Sequence, residues 1–221
     1  MTDLKFYEYS DVKNPKQLVI FLHGYGANGE NLISLAREFK HVLPEAHFIS
    51  PNAIEPWEGG FPHSYQWFSL SNGIERKNLS VVASDIKNAN KILGNFIDVQ
   101  LSRFNLVTKN LFIVGFSQGA MMSIYQGFIR PEKPAGIISF SGKIILPEML
   151  GEKIISRPEI CLIHGEEDSV LPFENFLEAK KFLEEEKISH ESHAIPNLDH
   201  SIDLRGIRLA TNFVKSQFLA S

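Results

Sequence analysis

The sequence predicts an α/β fold with a mostly parallel central sheet flanked by helices. Short runs of β-branched and aromatic residues alternate with longer stretches of helical periodicity, which is the pattern of consecutive βα units. The chain has 221 residues, of which 43% are hydrophobic, and it contains no repeat, linker or low-complexity tract. We therefore expect a single domain over residues 1–221, and two small domains are the alternative that this length allows.

The predicted strands are short runs bounded by turn residues or by helical patterns. They are Leu18–Leu22, His47–Ser50, Leu111–Val114, Gly136–Phe140, Ile160–Ile163 and His190–Ile195. The clearest helix extends from Leu79 to Phe104, where apolar residues recur at three- and four-residue steps. Another helix begins after Pro172 and ends in the solvated charge run Glu184–Lys187, and a last helix follows His200 without an internal proline.

Composition and charge exclude several classes of protein. The 22 basic and 26 acidic residues give a formal net charge of -4 without a long Lys and Arg run, so nucleic acid is not an expected partner. The longest clear apolar run, Leu18–Leu22, falls far short of the roughly 20 residues that cross a bilayer, so we expect no stable membrane insertion. The N-terminal residues lack the basic leader and apolar core of a secretory signal. These features predict a cytoplasmic protein.

The only cysteine, Cys161, points to the same compartment. One cysteine can form neither an intrachain disulfide nor a multi-cysteine metal cluster, which fits a reducing environment. A thiol is also a nucleophile in principle, but Cys161 lies inside a predicted apolar strand, where cysteine behaves as a small buried hydrophobe. We therefore look for a different nucleophile.

That nucleophile is predicted in the pattern G-x-S-x-G at Gly115–Gly119. In such an elbow a sharp strand-to-helix turn exposes the serine hydroxyl, and the glycines remove steric clashes around the strained backbone. The strand Leu111–Val114 precedes the pattern and a helix-compatible run, Ala120–Tyr125, follows it. This context makes Ser117 the candidate nucleophile. A buried tight turn without catalytic function is the alternative.

A serine nucleophile of this kind needs an acid that orients its base, and the acid comes next along the chain. The strand Ile160–Ile163 leads into an acidic turn that ends in a proline suited to helix entry. We choose Asp168 in this turn because it lies just before the helix entry. Glu166 and Glu167 are the competing carboxylates, and ordinary surface charge is the alternative for all three.

The base must be a histidine that follows the acid. His193 and His200 are the two candidates. His193 lies within the alternating strand His190–Ile195, so its side chain should leave a face of the sheet. His200 follows a Pro-Asn turn and can extend over the carboxyl edge of the sheet, where open α/β folds bind ligands. We therefore assign the base to His200, against a structural or solvated histidine.

Acyl transfer also requires donors aimed at the developing oxyanion, and losing one donor typically costs about 3 kcal/mol in the transition state. The backbone N–H of Gln118, directly after the nucleophile, is one predicted donor. The glycine-rich segment His23–Gly26 follows the strand Leu18–Leu22, and we assign the second donor to the N–H of Tyr25. A turn without function is the alternative. A phosphate cradle is disfavoured because no Gly-Lys-Ser/Thr follows.

The long non-periodic segment from Pro51 to about Asn78 is a candidate substrate-binding region, because loops of this length are often functional. It concentrates aromatic residues among glycines and prolines, as an acyl-binding wall does. The candidate substrate contacts are Trp57, Phe61, Tyr65, Trp67 and Phe68. Aromatic residues that only pack the loop against the core are the alternative.

With these residues assembled, the chain resembles the phospholipase/carboxylesterase family of small serine hydrolases, which includes acyl-protein thioesterases. The shared motif points are Leu22–Gly26, Ser50–Ala53, Trp67-Phe68, Gly115–Gly119, His164-Gly165-x-x-Asp168 with Pro172, and His200. The resemblance implies an α/β-hydrolase fold without a large cap domain. It also implies the same triad and oxyanion donors, no cofactor or metal, and small-molecule or acylated ester or thioester substrates. A homodimer stays open.

The chain departs from the family pattern at three positions. The family usually has Asp where this chain has Ser69, and Gly where it has Ala120 and Asp199. None of these changes removes a member of the proposed triad, but they leave the substrate open. Two other functions also stay open: a non-catalytic binding or scaffold protein on the same fold, and a peptidase or amidase.

Overall fold

A computed structural model describes residues 4–70 and 79–219 of the chain. Its strands are β1 (Phe6–Tyr9), β2 (Gln17–Leu22), β3 (Ala46–Pro51), β4 (Glu55–Pro56), β5 (Tyr65–Gln66), β6 (Leu111–Phe116), β7 (Gly136–Phe140), β8 (Ile160–Gly165) and β9 (His190–Ile195). Its α-helices are α1 (Gly29–Ile33), α2 (Ala36–Lys40), α3 (Leu79–Arg103), α4 (Gln118–Ile129), α5 (Pro147–Gly151), α6 (Glu174–Glu185) and α7 (Leu204–Leu219).

The central sheet has seven strands among these residues, in the order β1-β3-β2-β6-β7-β8-β9. β1 pairs with β3 in the antiparallel sense, and every other neighbouring pair is parallel. A separate small hairpin joins β4 and β5. The predicted α/β-hydrolase fold with a mostly parallel sheet is confirmed, and the described residues contain no large cap domain.

The inner strands β2, β3, β6, β7 and β8 are buried on both faces, which explains why most of them read as continuous apolar runs. In β2, Leu18, Ile20 and Leu22 belong to one hydrophobic cluster, which α3, α4 and α6 complete. The intervening Val19 and Phe21 belong to a second cluster, which α1, α2 and α7 complete. The two-residue alternation of strand side chains therefore divides one apolar run between two cores.

The predicted strands are all present, several of them longer by one or two residues, and β1 and the β4–β5 hairpin are additional. The predicted long helix is α3 and ends at Arg103. β1 has only four residues and lies at the sheet edge, where little of its surface is fully buried, so no clear strand pattern marks it. The hairpin strands have two residues each within the segment predicted as non-periodic. The part of that segment at 71–78 lies outside the described residues.

The parallel pairing brings the chemistry-bearing loops together. β2, β6, β8 and β9 run in the same direction, so the loops that follow Leu22, Phe116, Gly165 and Ile195 leave the sheet at one edge. This carboxyl edge is where open α/β sheets place their ligands. Among the described residues, no helix has both the length and the apolarity that crossing a membrane requires.

Candidate active site

Ser117 lies at the sharp turn between β6 and α4. Its backbone has φ 53° and ψ -117°, a conformation that non-glycine residues rarely adopt and that costs about 1–3 kcal/mol. The Ser117 N–H donates to the carbonyl of Phe140 on the neighbouring strand, with N···O 2.9 Å. The sheet therefore holds this residue in a strained conformation that the surrounding structure must compensate.

Two glycines make this turn sterically feasible. A Cβ atom on Gly115 would lie 2.3 Å from the Gly119 carbonyl oxygen, and one on Gly119 would lie 1.9 Å from the Leu22 carbonyl oxygen. Real Cβ atoms essentially never approach backbone atoms this closely. The pattern G-x-S-x-G is thus explained by the close packing of the first turn of α4 against β6 and β2.

Asp168 and His200 come into direct contact although 32 residues separate them. Nδ1 of His200 lies 2.7 Å from Oδ2 of Asp168. The other carboxylate oxygen, Oδ1, accepts hydrogen bonds from the backbone N–H groups of Val170 (3.0 Å) and Leu171 (2.8 Å). The Asp168 side chain is fully buried and that of His200 is 15% exposed, so the pair extends from the protein interior to the surface.

The environment of Asp168 favours its ionised form. Burial acts to raise the pKa of this carboxyl, but the hydrogen bond and charge of His200 and the two backbone donors outweigh burial. The pKa of Asp168 consequently lies below its ordinary value of 3.8. A carboxylate that stays charged at neutral pH can fix the imidazole with Nδ1 protonated, which leaves Nε2 as the proton acceptor.

A second histidine, His164, also faces Asp168, and the sequence reasoning assigned it no role. Its Nε2 lies 2.8 Å from the Leu171 carbonyl oxygen and 3.3 Å from Oδ2 of Asp168, and its side chain is buried. Burial is the largest influence and lowers the pKa of His164, which keeps this imidazole neutral. The only sequence signal was its place in the His-Gly-x-x-Asp motif.

His200 lies beside the serine elbow. The ring of Phe116, the residue before Ser117, packs against the His200 imidazole with ring centroids 4.9 Å apart. The structure therefore brings together the turn that carries Ser117 and the imidazole that Asp168 orients.

The other candidates for base, acid and nucleophile make different contacts from those of His200, Asp168 and Ser117. His193 is on β9, where its Nε2 contacts the Glu191 carboxylate at 3.2 Å. Glu166 and Glu167 are exposed, unlike the buried Asp168. Cys161 is fully buried in β8, and burial, with a smaller contribution from the Glu191 charge, raises the pKa of its thiol. None of these residues shares the contacts of the Asp168–His200 pair.

The loop after β2 packs directly against the nucleophile turn. A Cβ atom on Gly24 would lie 3.3 Å from Cβ of Ser117. Within the described residues, neither the backbone N–H of Tyr25 nor that of Gln118 donates to a protein acceptor. Gln118 directly follows Ser117, and Tyr25 directly follows the Gly24 that packs against Ser117.

His23 fixes this loop from inside. Its Nε2 accepts a hydrogen bond from the Ala53 N–H at 2.9 Å, so Nδ1 carries the proton and donates to the Gly24 carbonyl at 2.7 Å. Burial lowers the pKa of His23 to about 4, so the imidazole remains neutral at physiological pH. The backbone around the predicted donor of Tyr25 is therefore held by a buried neutral side chain.

Trp67 and Phe68 connect the two predicted oxyanion donors. The Trp67 indole Nε1–H donates to the His23 carbonyl at 2.9 Å, and the Trp67 backbone N–H donates to Oε1 of Gln118 at 2.8 Å. Nε2 of Gln118 in turn donates to the Phe68 carbonyl at 2.7 Å. Trp67 is 0% and Phe68 1% exposed, so their predicted contact with substrate does not fit this conformation. The two residues support the site from behind.

The other predicted substrate residues are nearer to solvent. The rings of Trp57 and Phe61 stack with centroids 5.7 Å apart, and Phe61 is 69% exposed. The Tyr25 ring meets Trp57 edge-on at 5.8 Å. Tyr65 is half-buried in β5 and opposes Ala27 of the β2 loop. An accessible aromatic surface therefore adjoins the loop that carries the Tyr25 N–H.

The three departures from the family pattern leave the Asp168–His200 contact intact. Asp199, next to His200, is exposed, and its Oδ1 accepts a hydrogen bond from the Ser201 hydroxyl at 2.6 Å. Ala120 is fully buried beside Gly142. The Ser69 hydroxyl donates to Oε2 of Glu58 at 2.6 Å.

Among the residues that the structure describes, one group has the ligand types and spacing that a metal ion requires. Ligand atoms of Cys161, Glu191 and His193 lie within 4.8 Å of one another, on β8 and β9. The raised pKa of the Cys161 thiol disfavours the thiolate that a metal ion requires. This group does not share residues with the serine site.

Comparison with known proteins identifies the family. The sequence model of the family described as Phospholipase/Carboxylesterase matches residues 9–218. The chain belongs to this family. Esterase YpfH of Escherichia coli (strain K12) is 26% identical over 213 residues, covering 95% of this chain and 87% of YpfH. Acyl-protein thioesterase 1 of Neurospora crassa is 24% identical over 209 residues, covering 89% of this chain and 84% of the relative.

Solved structures agree with this assignment. The crystal structure of esterase PE8 superposes with a TM-score of 0.89 at 34% identity, covering 97% of this chain and 99% of PE8. The crystal structure of SOBER1 from Arabidopsis thaliana has a TM-score of 0.78 at 22% identity, covering 91% of this chain and 99% of that chain, and supports the fold alone. At the level of the family, the protein is a hydrolase that acts on esters.

Proposed function

We propose that this protein cleaves carboxylic esters or thioesters of acyl chains through a Ser117–His200–Asp168 triad. The observation that carries the proposal is the 2.7 Å contact between His200 Nδ1 and buried Asp168 beside a strained serine elbow. A carboxylate, an imidazole and an activated serine in this chain order are the components of nucleophilic acyl transfer.

The proposed reaction proceeds in two steps. Nε2 of His200 accepts the Ser117 proton as Oγ attacks the carbonyl carbon, and Asp168 stabilises the resulting imidazolium. The backbone N–H groups of Tyr25 and Gln118 donate to the oxyanion. The imidazolium then protonates the leaving alcohol or thiol, which leaves an acyl group on Ser117. Water, deprotonated by His200, attacks this acyl-enzyme and releases the carboxylic acid and the free serine.

The acyl-chain preference rests on the aromatic surface beside the oxyanion loop. Trp57 and the exposed Phe61 offer stacked apolar rings next to Tyr25. Such a surface suits an alkyl chain better than a charged group. The relatives named esterase and acyl-protein thioesterase are consistent with this substrate class. We further propose a cytoplasmic enzyme of one domain whose partner is its acylated substrate.

The test is a panel of p-nitrophenyl esters and acyl-thioesters of graded chain length, measured on wild type and on Ser117→Ala. We expect wild type to turn over esters in the panel and Ser117→Ala to lose activity while it keeps the wild-type circular dichroism spectrum. No turnover of any substrate by folded wild type would favour the scaffold alternative. Turnover of peptide or anilide substrates by wild type that is lost in Ser117→Ala would favour a peptidase or amidase.

The base assignment has its own matched control, because both candidate histidines follow the acid. His200→Ala should remove turnover together with the rise of kcat/KM with pH, since a neutral imidazole must accept the serine proton. His193→Ala should keep the wild-type pH profile, because its contact is with exposed Glu191. The opposite pattern would move the base to His193.

A further inference from the structure

Glu58 lies at the junction of the oxyanion loop and the aromatic segment. Oε1 of its carboxylate accepts hydrogen bonds from the Tyr25 hydroxyl and from the Leu70 backbone N–H, the latter at 3.0 Å. Oε2 accepts from the Ser69 hydroxyl at 2.6 Å. The Glu58 backbone N–H donates to Oε1 of Gln66 at 3.0 Å. One side chain therefore joins the loop after β2 to Ser69 and Leu70 of the aromatic segment.

We propose that Glu58 is a positioning residue, whose carboxylate holds the Tyr25 side chain and thereby orients the Tyr25 backbone N–H toward the substrate oxyanion. The inference rests on the proposed function, because it assigns a purpose to the Tyr25 N–H only in acyl transfer. Glu58 itself touches no reacting atom in this account and acts through Tyr25.

The contact between the Tyr25 hydroxyl and Glu58 helps to hold the Tyr25 backbone N–H in place. This N–H must stay unpaired with protein acceptors in order to serve a substrate, so it contributes nothing to holding the residue in place. The neighbouring backbone is held on both sides: the Gly24 carbonyl accepts from His23 Nδ1 at 2.7 Å, and Gly26, with φ 75°, donates to the Tyr65 carbonyl at 3.0 Å. The hydroxyl contact with Glu58 adds a further attachment, at the tip of the side chain.

The state of the Tyr25 hydroxyl supports a donor role. Burial, and after it the hydrogen bond and charge of Glu58, raise the pKa of Tyr25 to about 12. The phenol therefore keeps its proton throughout the working pH range and can donate to the carboxylate. The ring is also held edge-on against Trp57, so the side chain has defined contacts at its ring and at its hydroxyl.

Ser69 is another hydrogen-bond partner of the Glu58 carboxylate. The Ser69 hydroxyl donates to Oε2 of the Glu58 carboxylate at 2.6 Å. An aspartate at this position would place its own carboxylate oxygens close to the space that the Glu58 carboxylate occupies. Among the described contacts of Tyr25, Ser69 and Leu70 at this junction, the negative charge comes from Glu58.

The experiment compares Glu58→Ala, Tyr25→Phe and the double variant in ester hydrolysis, with thermal unfolding as the check on folding. Removal of one oxyanion donor lowers kcat about 10²–10³-fold, and a donor that is only loosened should cost less, roughly tenfold. We expect this loss in kcat with KM nearly unchanged, because the oxyanion forms only in the transition state. The double variant should be no worse than either single variant.

Conservative variants of Glu58 and a matched control show whether a loss of kcat comes from the contact with Tyr25 or from a general disturbance of the structure. Glu58→Gln should keep most of the activity, because its amide oxygen can still accept from Tyr25 and its amide NH₂ can face Ser69. Ser69→Asp should restore kcat in the Glu58→Ala background. Glu55→Gln is the matched control in the same hairpin, since its carboxylate contacts Gln66 and not Tyr25, and it should behave as wild type.

Three outcomes would overturn the proposal: wild-type kcat in Glu58→Ala, wild-type kcat in Tyr25→Phe, or losses that multiply in the double variant. If Glu58→Ala does not fold, Tyr25→Phe alone decides, because it keeps the aromatic ring and removes only the hydroxyl. Turnover that survives Ser117→Ala would remove the proposed function itself. Wild-type kcat in Glu58→Ala beside an inactive Ser117→Ala would remove only the role of Glu58.

Discussion

Replacement of Gly119 by alanine should disable the enzyme without touching a proposed catalytic side chain. The added Cβ would lie 1.9 Å from the Leu22 carbonyl oxygen and 2.6 Å from that of His23. Ordinary van der Waals contact begins near 3.4 Å, so α4 and the end of β2 must separate by roughly 1–1.5 Å. A misplacement of about 1 Å in an active site can cost about 10²-fold in rate.

The effect should be larger on activity than on folding. Gly119 follows Gln118, so the displacement moves one proposed oxyanion donor relative to Ser117. We therefore expect kcat/KM for a p-nitrophenyl ester to fall by about 10²-fold or more. Overpacking in a well-packed core typically costs about 1–3 kcal/mol, so the variant should still fold and should unfold at lower denaturant concentration.

Gly94→Ala is the matched control. This glycine lies in α3, where a Cβ would meet only the Gln126 side chain, at 3.4 Å. Alanine within a helix is favoured over glycine by about 1 kcal/mol, so Gly94→Ala should be neutral or stabilising with wild-type kcat/KM. If Gly119→Ala keeps kcat/KM within a few-fold of wild type, the argument that close packing of α4 positions the donor is wrong.

Further predictions concern the acid, the thiol and the support of the oxyanion loop. Asp168→Asn should lower kcat by orders of magnitude because the imidazole loses its orienting carboxylate, whereas Glu166→Gln and Glu167→Gln should stay near wild type; the reverse in steady-state kinetics would reassign the acid. The pKa of Asp168 in the folded protein lies below the ordinary value of 3.8. The ionised carboxylate therefore stabilises the fold above pH 3.8, and this stabilisation is lost as the pH falls through the pKa of the folded state. The thermal unfolding temperatures of wild type and Asp168→Asn should consequently converge in acid. Alkylation of native protein by iodoacetamide should leave turnover unchanged because Cys161 is fully buried, and rapid inactivation with protection by substrate would contradict this. Trp67→Phe should lower kcat more than it raises KM, since it removes the indole bond to the loop after β2; a change in KM alone would indicate direct substrate contact instead.

The sequence was most informative about the strands and the proposed triad, where a local residue pattern or the order of residues along the chain limits the candidates. Short apolar runs, which are buried on both faces, predicted the inner parallel strands such as β2 and β6, and an alternating segment predicted the edge strand β9. The elbow pattern placed Ser117 because two glycines are needed to bring α4 against β2 and β6. The order acid then base limited the candidates, the helix entry favoured Asp168 and the Pro-Asn turn favoured His200. The structure brings this pair into contact.

Hydrogen bonds between residues that are far apart in the chain could not be predicted from the sequence. Trp67 and Phe68 were predicted to contact substrate because aromatic residues in a long loop suggest a binding wall. Their burial depends on hydrogen bonds to Gln118 and His23, about 50 and 44 residues away, which no local pattern encodes. The contact of His164 with Asp168 was missed because its only sequence signal, the His-Gly-x-x-Asp motif, does not tell whether the imidazole and the carboxylate face each other.

The most direct test of the central claim is to locate the residue that a fluorophosphonate probe modifies in the native protein. We expect one modified peptide, with the phosphonyl group on Ser117, and no labelling after Ser117→Ala or after heat denaturation. Ser123→Ala, which changes a buried serine on the same helix, should label as wild type does. Labelling at any other residue, or no labelling of folded and hydrolytically active wild type, would contradict the assignment of Ser117 as the nucleophile.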